Sequence, residues 1–136
     1  MQLNLVDGTN LNPETGALIK GHYKNECWGL ATHPTSKVFS TLGDDGVLRI
    51  WDAMQYKQTK HLAMDTGGRA ICYDTTGDLI AIGMGMPGHQ QSGKKDGTFI
   101  IFHSTDLSQV HEGRDSQECI MDIKFSPDNK SLAVGR

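Results

Sequence analysis

No apolar run in this chain of 136 residues is long enough to cross a membrane. Its longest, Leu79–Ile82 and Phe99–Phe102, fall far short of the ~20 residues a spanning helix needs. Met1-Gln-Leu-Asn-Leu-Val6 lacks the basic start and apolar stretch of a signal peptide. A soluble, cytoplasmic protein with no membrane partner is therefore expected. Cysteine is scarce: Cys27, Cys72 and Cys119 are odd in number, far apart and each beside apolar residues. They read as buried, reduced core thiols, which excludes a disulfide framework and points to a reducing compartment. Positive charge is also short. A net charge of −3 and a pI near 6.0 exclude nucleic acid as the main partner.

Catalytic and ligand-binding signatures are missing as well. The six histidines (His22, His33, His61, His89, His103, His111) form no HxxxH and the cysteines no CxxC, so no metal site is expected. There is no GxSxG and no phosphate-binding P-loop. Gly83-Met-Gly-Met-Pro-Gly-His89 is glycine-rich, but no helix follows to present amide groups to a phosphate, so it reads as a surface loop. Asp44-Asp45 resembles a carboxylate pair for acid–base work, yet its place beside Gly46 suits a hairpin turn better. A non-enzymatic chain without cofactor is the reading that remains. Sustained apolar spacing at three and four residues, the mark of amphipathic helices, is absent too.

What the sequence does have is a repeat. Three stretches share one form: Trp28-Gly-Leu-Ala-Thr-His-Pro-Thr-Ser-Lys37, Ala70-Ile-Cys-Tyr-Asp-Thr-Thr-Gly-Asp78 and Ile120-Met-Asp-Ile-Lys-Phe-Ser-Pro-Asp-Asn-Lys130. Each alternates apolar and polar residues, passes through a turn rich in Pro, Asp or Gly, and enters a second apolar run. Those runs begin at Val38, Leu79 and Leu132. This is a hairpin signature. A third strand follows twice, Gly46-Val-Leu-Arg-Ile-Trp-Asp52 and Gly97-Thr-Phe-Ile-Ile-Phe-His103, each opened by Asp-Gly, which tolerates the positive φ of a tight turn. Weaker fourth strands are expected around Lys57–Met64 and Ser108–Glu112. Pro34 and Thr75 stand 41 residues apart, Thr75 and Pro127 52 apart. Discounting an inserted loop at about 85–94 restores a single period, matching the ~40–45 residues of a four-stranded propeller blade.

Gly21-His22 … Trp51-Asp52 is similar to the GH…WD frame of a WD40 repeat. Glu26-Cys-Trp-Gly-Leu-Ala-Thr-His-Pro34 is more specific. With Gly68-Arg-Ala-Ile-Cys-Tyr73, Ala81-Ile-Gly-Met84 and Asp122-Ile-Lys-Phe-Ser-Pro-Asp128, it resembles the echinoderm microtubule-associated protein-like family. The resemblance implies an all-β WD40 β-propeller, here partial, with about three blades of a larger ring. Residues 1–20 would be the last strands of one blade, 21–65 a full blade, 66–114 a second with the loop 85–94, and 115–136 half of a third. It further implies a structural hydrogen-bonded tetrad of His22, Thr41, Asp45 and Trp51. The later repeat has Thr66-Gly67-Gly68 and Phe102-His103 at the matching places, so that blade should rest on packing alone.

The function implied by the resemblance is a binding scaffold with tubulin or microtubules as partner, at the cytoskeleton and in some members the cilium or axoneme. A general WD40 scaffold in another protein assembly is the alternative. The inserted loop, carrying His89, Lys94 and Lys95, is the candidate partner-binding element, because projecting loops on rigid scaffolds concentrate contacts.

Overall fold

The computed structural model describes residues 21–22, 25–86, 95–114 and 116–136. The strand-forming stretches expected within 1–20 lie outside the described residues, as do His89 and Lys94. Ten strands and no helix occur among the described residues. They are β1 (Cys27–Thr32), β2 (Val38–Gly43), β3 (Val47–Asp52), β4 (Lys57–Ala63), β5 (Gly68–Tyr73), β6 (Leu79–Met84), β7 (Thr98–His103), β8 (Gln109–Arg114), β9 (Asp122–Phe125) and β10 (Leu132–Gly135).

Neighbouring strands pair antiparallel in chain order, giving β1-β2-β3-β4, β5-β6-β7-β8 and the hairpin β9-β10. Two four-stranded meanders and the start of a third are propeller blades laid side by side. The Asp-Gly turns behave as their composition requires: Gly46 and Gly97 adopt φ of +68° and +77°, where a Cβ would strain the chain.

Period-two alternation decides what each sheet buries. On the first sheet Ser40, Leu42, Leu48 and Ile50 face the second sheet. There they meet Ile71, Ile80, Ile82, Met84, Ile100 and Phe102, all buried. The second sheet's opposite face, with Ala70, Cys72 and Ala81, packs against Ile120 and Ile123. Each buried Ile or Leu contributes about 1.5–3 kcal/mol of transfer free energy, so blade stacking supplies most of the cohesion. Gly83 sets the spacing of the second interface: a Cβ there would come within 2.3 Å of Ile120 Cγ2.

Polar contacts lock the same interfaces. Ser40 Oγ and the Tyr73 hydroxyl lie 2.5 Å apart between the first two blades. Between the second and third, the Asp74 carboxylate accepts from the Asn129 amide at 3.3 Å, and the Thr75 N–H donates to Asn129 Oδ1 at 3.1 Å.

The thiols require one correction. Cys72 and Cys119 are buried, and burial pushes both above the usual thiol range. Cys27 is exposed instead. It opens β1 where the register slips between Cys27 and Gly29, and that bulge breaks the alternation the sequence suggested.

Candidate functional site

The face of the first blade turned away from the second is polar at its centre. Strand β2 places Thr41 there, β3 places Arg49 and Trp51, and the β2–β3 turn supplies Asp45. His22 comes in from the segment before β1. The Trp51 Nε1–H donates to Thr41 Oγ1 at 2.8 Å, and Thr41 Oγ1 lies 2.8 Å from His22 Nε2. His22 Nδ1 lies 2.8 Å from Asp45 Oδ1. A proton on Nδ1 satisfies the whole chain: Trp51 donates to Thr41, the Thr41 hydroxyl to Nε2, and Nδ1–H to Asp45. The structure thus brings His22, Thr41, Asp45 and Trp51 into one continuous set of contacts.

A fifth residue joins them. Arg49 Nη1 donates to Asp45 Oδ2 at 2.7 Å, and the side chains of both are about 93–94% buried. Its 2.9 Å approach to His22 Nδ1 is a close contact forced by their shared partner, since both nitrogens carry hydrogen when Nδ1 donates to Asp45. Burial pushes the Asp45 carboxyl up, but hydrogen bonds from His22 and Arg49 outweigh it and hold the group below its ordinary value. Sequence reading missed Arg49. Its signal was a single charge in Val-Leu-Arg-Ile-Trp, on the Trp51 side of the alternation and four residues after Asp45.

In the second blade the matching positions are apolar. The equivalent pairings, Phe39 with Trp51 and Ile80 with Phe102, set the correspondence. Ile82 stands for Thr41, Ile100 for Arg49 and Phe102 for Trp51. All three are buried against the first blade. One position thus holds a hydrogen-bonded polar cluster in one blade and hydrocarbon in the next.

The end of the blades at the β2–β3 turn gathers further polar groups. Asp44 Oδ2 accepts the Trp28 indole N–H at 3.3 Å, and Arg69 Nη2 lies 3.4 Å from Asp44 Oδ1. The Arg69 guanidinium sits 3.9 Å above the Trp28 ring. Asp44, Gly46, Asp65, Thr66, Gly67 and Met86 line one hollow at this end. The base of the inserted loop is anchored there, the Gly85 N–H donating to the Gly67 carbonyl at 2.9 Å. Of the candidate loop residues, only Lys95 is described. Its ammonium lies 2.5 Å from Glu112 Oε1 on β8, which raises the lysine and lowers the glutamate from their ordinary values. No cluster of three or more His, Cys, Asp or Glu suited to a metal occurs among the described residues.

Comparison with known proteins decides the family. The profile described as the echinoderm microtubule-associated protein second beta-propeller matches residues 27–136. The chain belongs to this family. Among its relatives, the 77 kDa echinoderm microtubule-associated protein of Strongylocentrotus purpuratus is 34% identical over 131 residues, covering 96% of this chain and 18% of the relative. Echinoderm microtubule-associated protein-like 2 of Mus musculus is 29% identical over 120 residues, covering 87% and 16%. The human protein-like 3 is 26% identical over 118 residues. The chain spans less than a fifth of the length of these relatives. The family's WD40 propeller architecture matches the two four-stranded blades and the third hairpin described above.

Proposed function

We propose that this chain is part of a non-catalytic, microtubule-associated scaffold of the cytoplasmic cytoskeleton. The observation that carries the reading is the family match over residues 27–136, joined to relatives whose names describe microtubule association. A ciliary or axonemal setting is a finer version of the same proposal.

Within it, His22, Thr41, Asp45 and Trp51, with Arg49, act as a structural cluster that fixes the β2–β3 turn against its strands. An Asp–His–Thr series has the outline of a catalytic triad. Here, however, the Thr41 oxygen also holds the Trp51 N–H, and the carboxylate also holds Arg49, so every member serves its neighbour. The division into blades at 21–65, 66–114 and 115–136 follows the same reading.

The inserted loop 85–94 is proposed as a lattice contact through His89, Lys94 and Lys95. Its basic groups complement an acidic tubulin surface. Lys95 contributes less than its charge suggests, because Glu112 already holds it. Co-pelleting of the full chain with microtubules tests both levels. The parent should pellet, and Lys94→Glu with Lys95→Glu should weaken pelleting most at low salt. A parent that stays in the supernatant refutes the microtubule reading. A double variant that pellets like the parent refutes only the loop.

A further inference from the structure

The first strand of each complete blade carries a bulge at the same place. Pairing slips between Cys27 and Gly29 in β1 and between Gly68 and Ala70 in β5, leaving Trp28 and Arg69 as the extra residues. Such a bulge takes a side chain out of the sheet's alternation and re-aims it. Gly29 pairs with Leu42, Ala70 with Gly83 and Asp122 with Gly135, so Met121 is the third blade's counterpart. Trp28, Arg69 and Met121 therefore mark successive blades along the inner rim of one end. Trp28 is 47% exposed and Met121 50%, and Arg69 lies between them with its guanidinium against the Trp28 ring.

Among the described residues, the charge left over around this rim is negative. Glu26, Asp65 and Glu118 are exposed at the strand entries beside Trp28, Arg69 and Met121, and none makes a side-chain hydrogen bond or ion pair among the described residues. Among the described residues, the cations at this end are engaged. Arg69 serves Asp44 and Trp28, Lys95 serves Glu112 and also feels Asp65, Arg114 donates to the carbonyls of Asp96 and Ser116, and Arg136 has a contact of its own. Because one face of Trp28 already carries a guanidinium, its open face suits hydrocarbon better than a second cation.

We propose that this rim docks an extended basic segment of a partner protein. An apolar side chain of that segment lies on Trp28 and Met121, and its lysines or arginines reach Glu26, Asp65 and Glu118. The rim adjoins the base of the inserted loop, where the Gly85 N–H donates to the Gly67 carbonyl.

Three fluorescein-labelled peptides of equal length, alternating leucine with lysine, glutamate or serine, provide the probe, and their anisotropy is read against the full chain. The lysine–leucine peptide should bind, weaken with salt, and lose about tenfold in affinity with Trp28→Ala and with Glu118→Lys. Asp78→Lys, at the other end of the blade, should leave it unchanged. Glu118→Lys alters an exposed side chain, so it remains informative should Trp28→Ala disturb folding. Equal binding of the glutamate or serine peptide, no binding of the lysine peptide, or indifference to Glu118→Lys overturns the proposal. So does a Trp28→Ala variant that loses microtubules while keeping the lysine peptide.

Discussion

The Trp51 indole reaches the Thr41 hydroxyl diagonally across β2 and β3, at 2.8 Å, while the strand register sets Thr41 opposite Arg49 and Trp51 opposite Phe39. That diagonal places the guanidinium beside the same carboxylate that holds His22. It also leaves the Trp51 ring stacked on Phe39, centroids 6.0 Å apart. The indole is thus fixed at its edge by a hydrogen bond and on its face by packing.

Trp51→Phe keeps the stacked ring and removes only the N–H. Thr41 then loses a donor in a mostly buried setting, so stability should fall by about 1–3 kcal/mol in urea unfolding. Microtubule co-pelleting should not change. A variant as stable as the parent that no longer pellets would make Trp51 a contact residue.

Arg49→Ile copies the residue that the second blade uses at this position. On its own it strands the buried Asp45 carboxylate, at a cost of roughly 3–5 kcal/mol. Adding Asp45→Asn should recover part of that loss, so the double variant is more stable than the sum of the single changes predicts. Strict additivity in denaturant unfolding would show that Arg49 and Asp45 are not coupled.

Acid should weaken the fold chiefly through two carboxylates with buried side chains, Asp74 and Asp45. Burial pushes Asp74 up, but the Thr76 hydroxyl and the N–H groups of Leu79 and Gly77 outweigh it and hold it below its ordinary value. Asp45 is lowered in the same sense by His22 and Arg49. A depressed folded-state value means the stabilisation is present above the unfolded value of about 4 and disappears as pH falls through the folded one. Unfolding free energy should therefore decline from about pH 5 downward, and Asp74→Asn should flatten that slope. An unchanged slope in Asp74→Asn would remove Asp74 from the acid response.

Gly77→Ala tests the interlock between the first two blades. Gly77 has φ of +87°, and a Cβ would come within 2.2 Å of the His33 ring, which packs against Tyr73. Thermal unfolding should shift down by several degrees, as expected for a loss above about 1 kcal/mol in a domain of this size. An unshifted midpoint would mean that His33 moves aside without cost.

Much of this was legible in the sequence, because blades are made of short-range signals. Asp-Gly marks the turns that adopt positive φ, and the apolar runs from Val38 and Leu79 mark the second strand of each blade. His22, Thr41, Asp45 and Trp51 could be singled out because the family frame fixes their spacing. Arg49 could not, since an arginine in a strand is ordinarily solvated and only the neighbouring carboxylate explains its burial. Cys27 was misplaced for a related reason. A bulge is a pairing irregularity between two strands, and the alternation within one strand carries no trace of it. The Asp74–Asn129 contact escaped notice too, because it joins turns 55 residues apart.

The most direct test of the central claim is co-pelleting of the full chain with taxol-stabilised microtubules over a salt series. The account predicts saturable pelleting that weakens as salt rises, with Trp51→Phe binding like the parent below its melting temperature. A parent chain that stays in the supernatant at every salt concentration would contradict it.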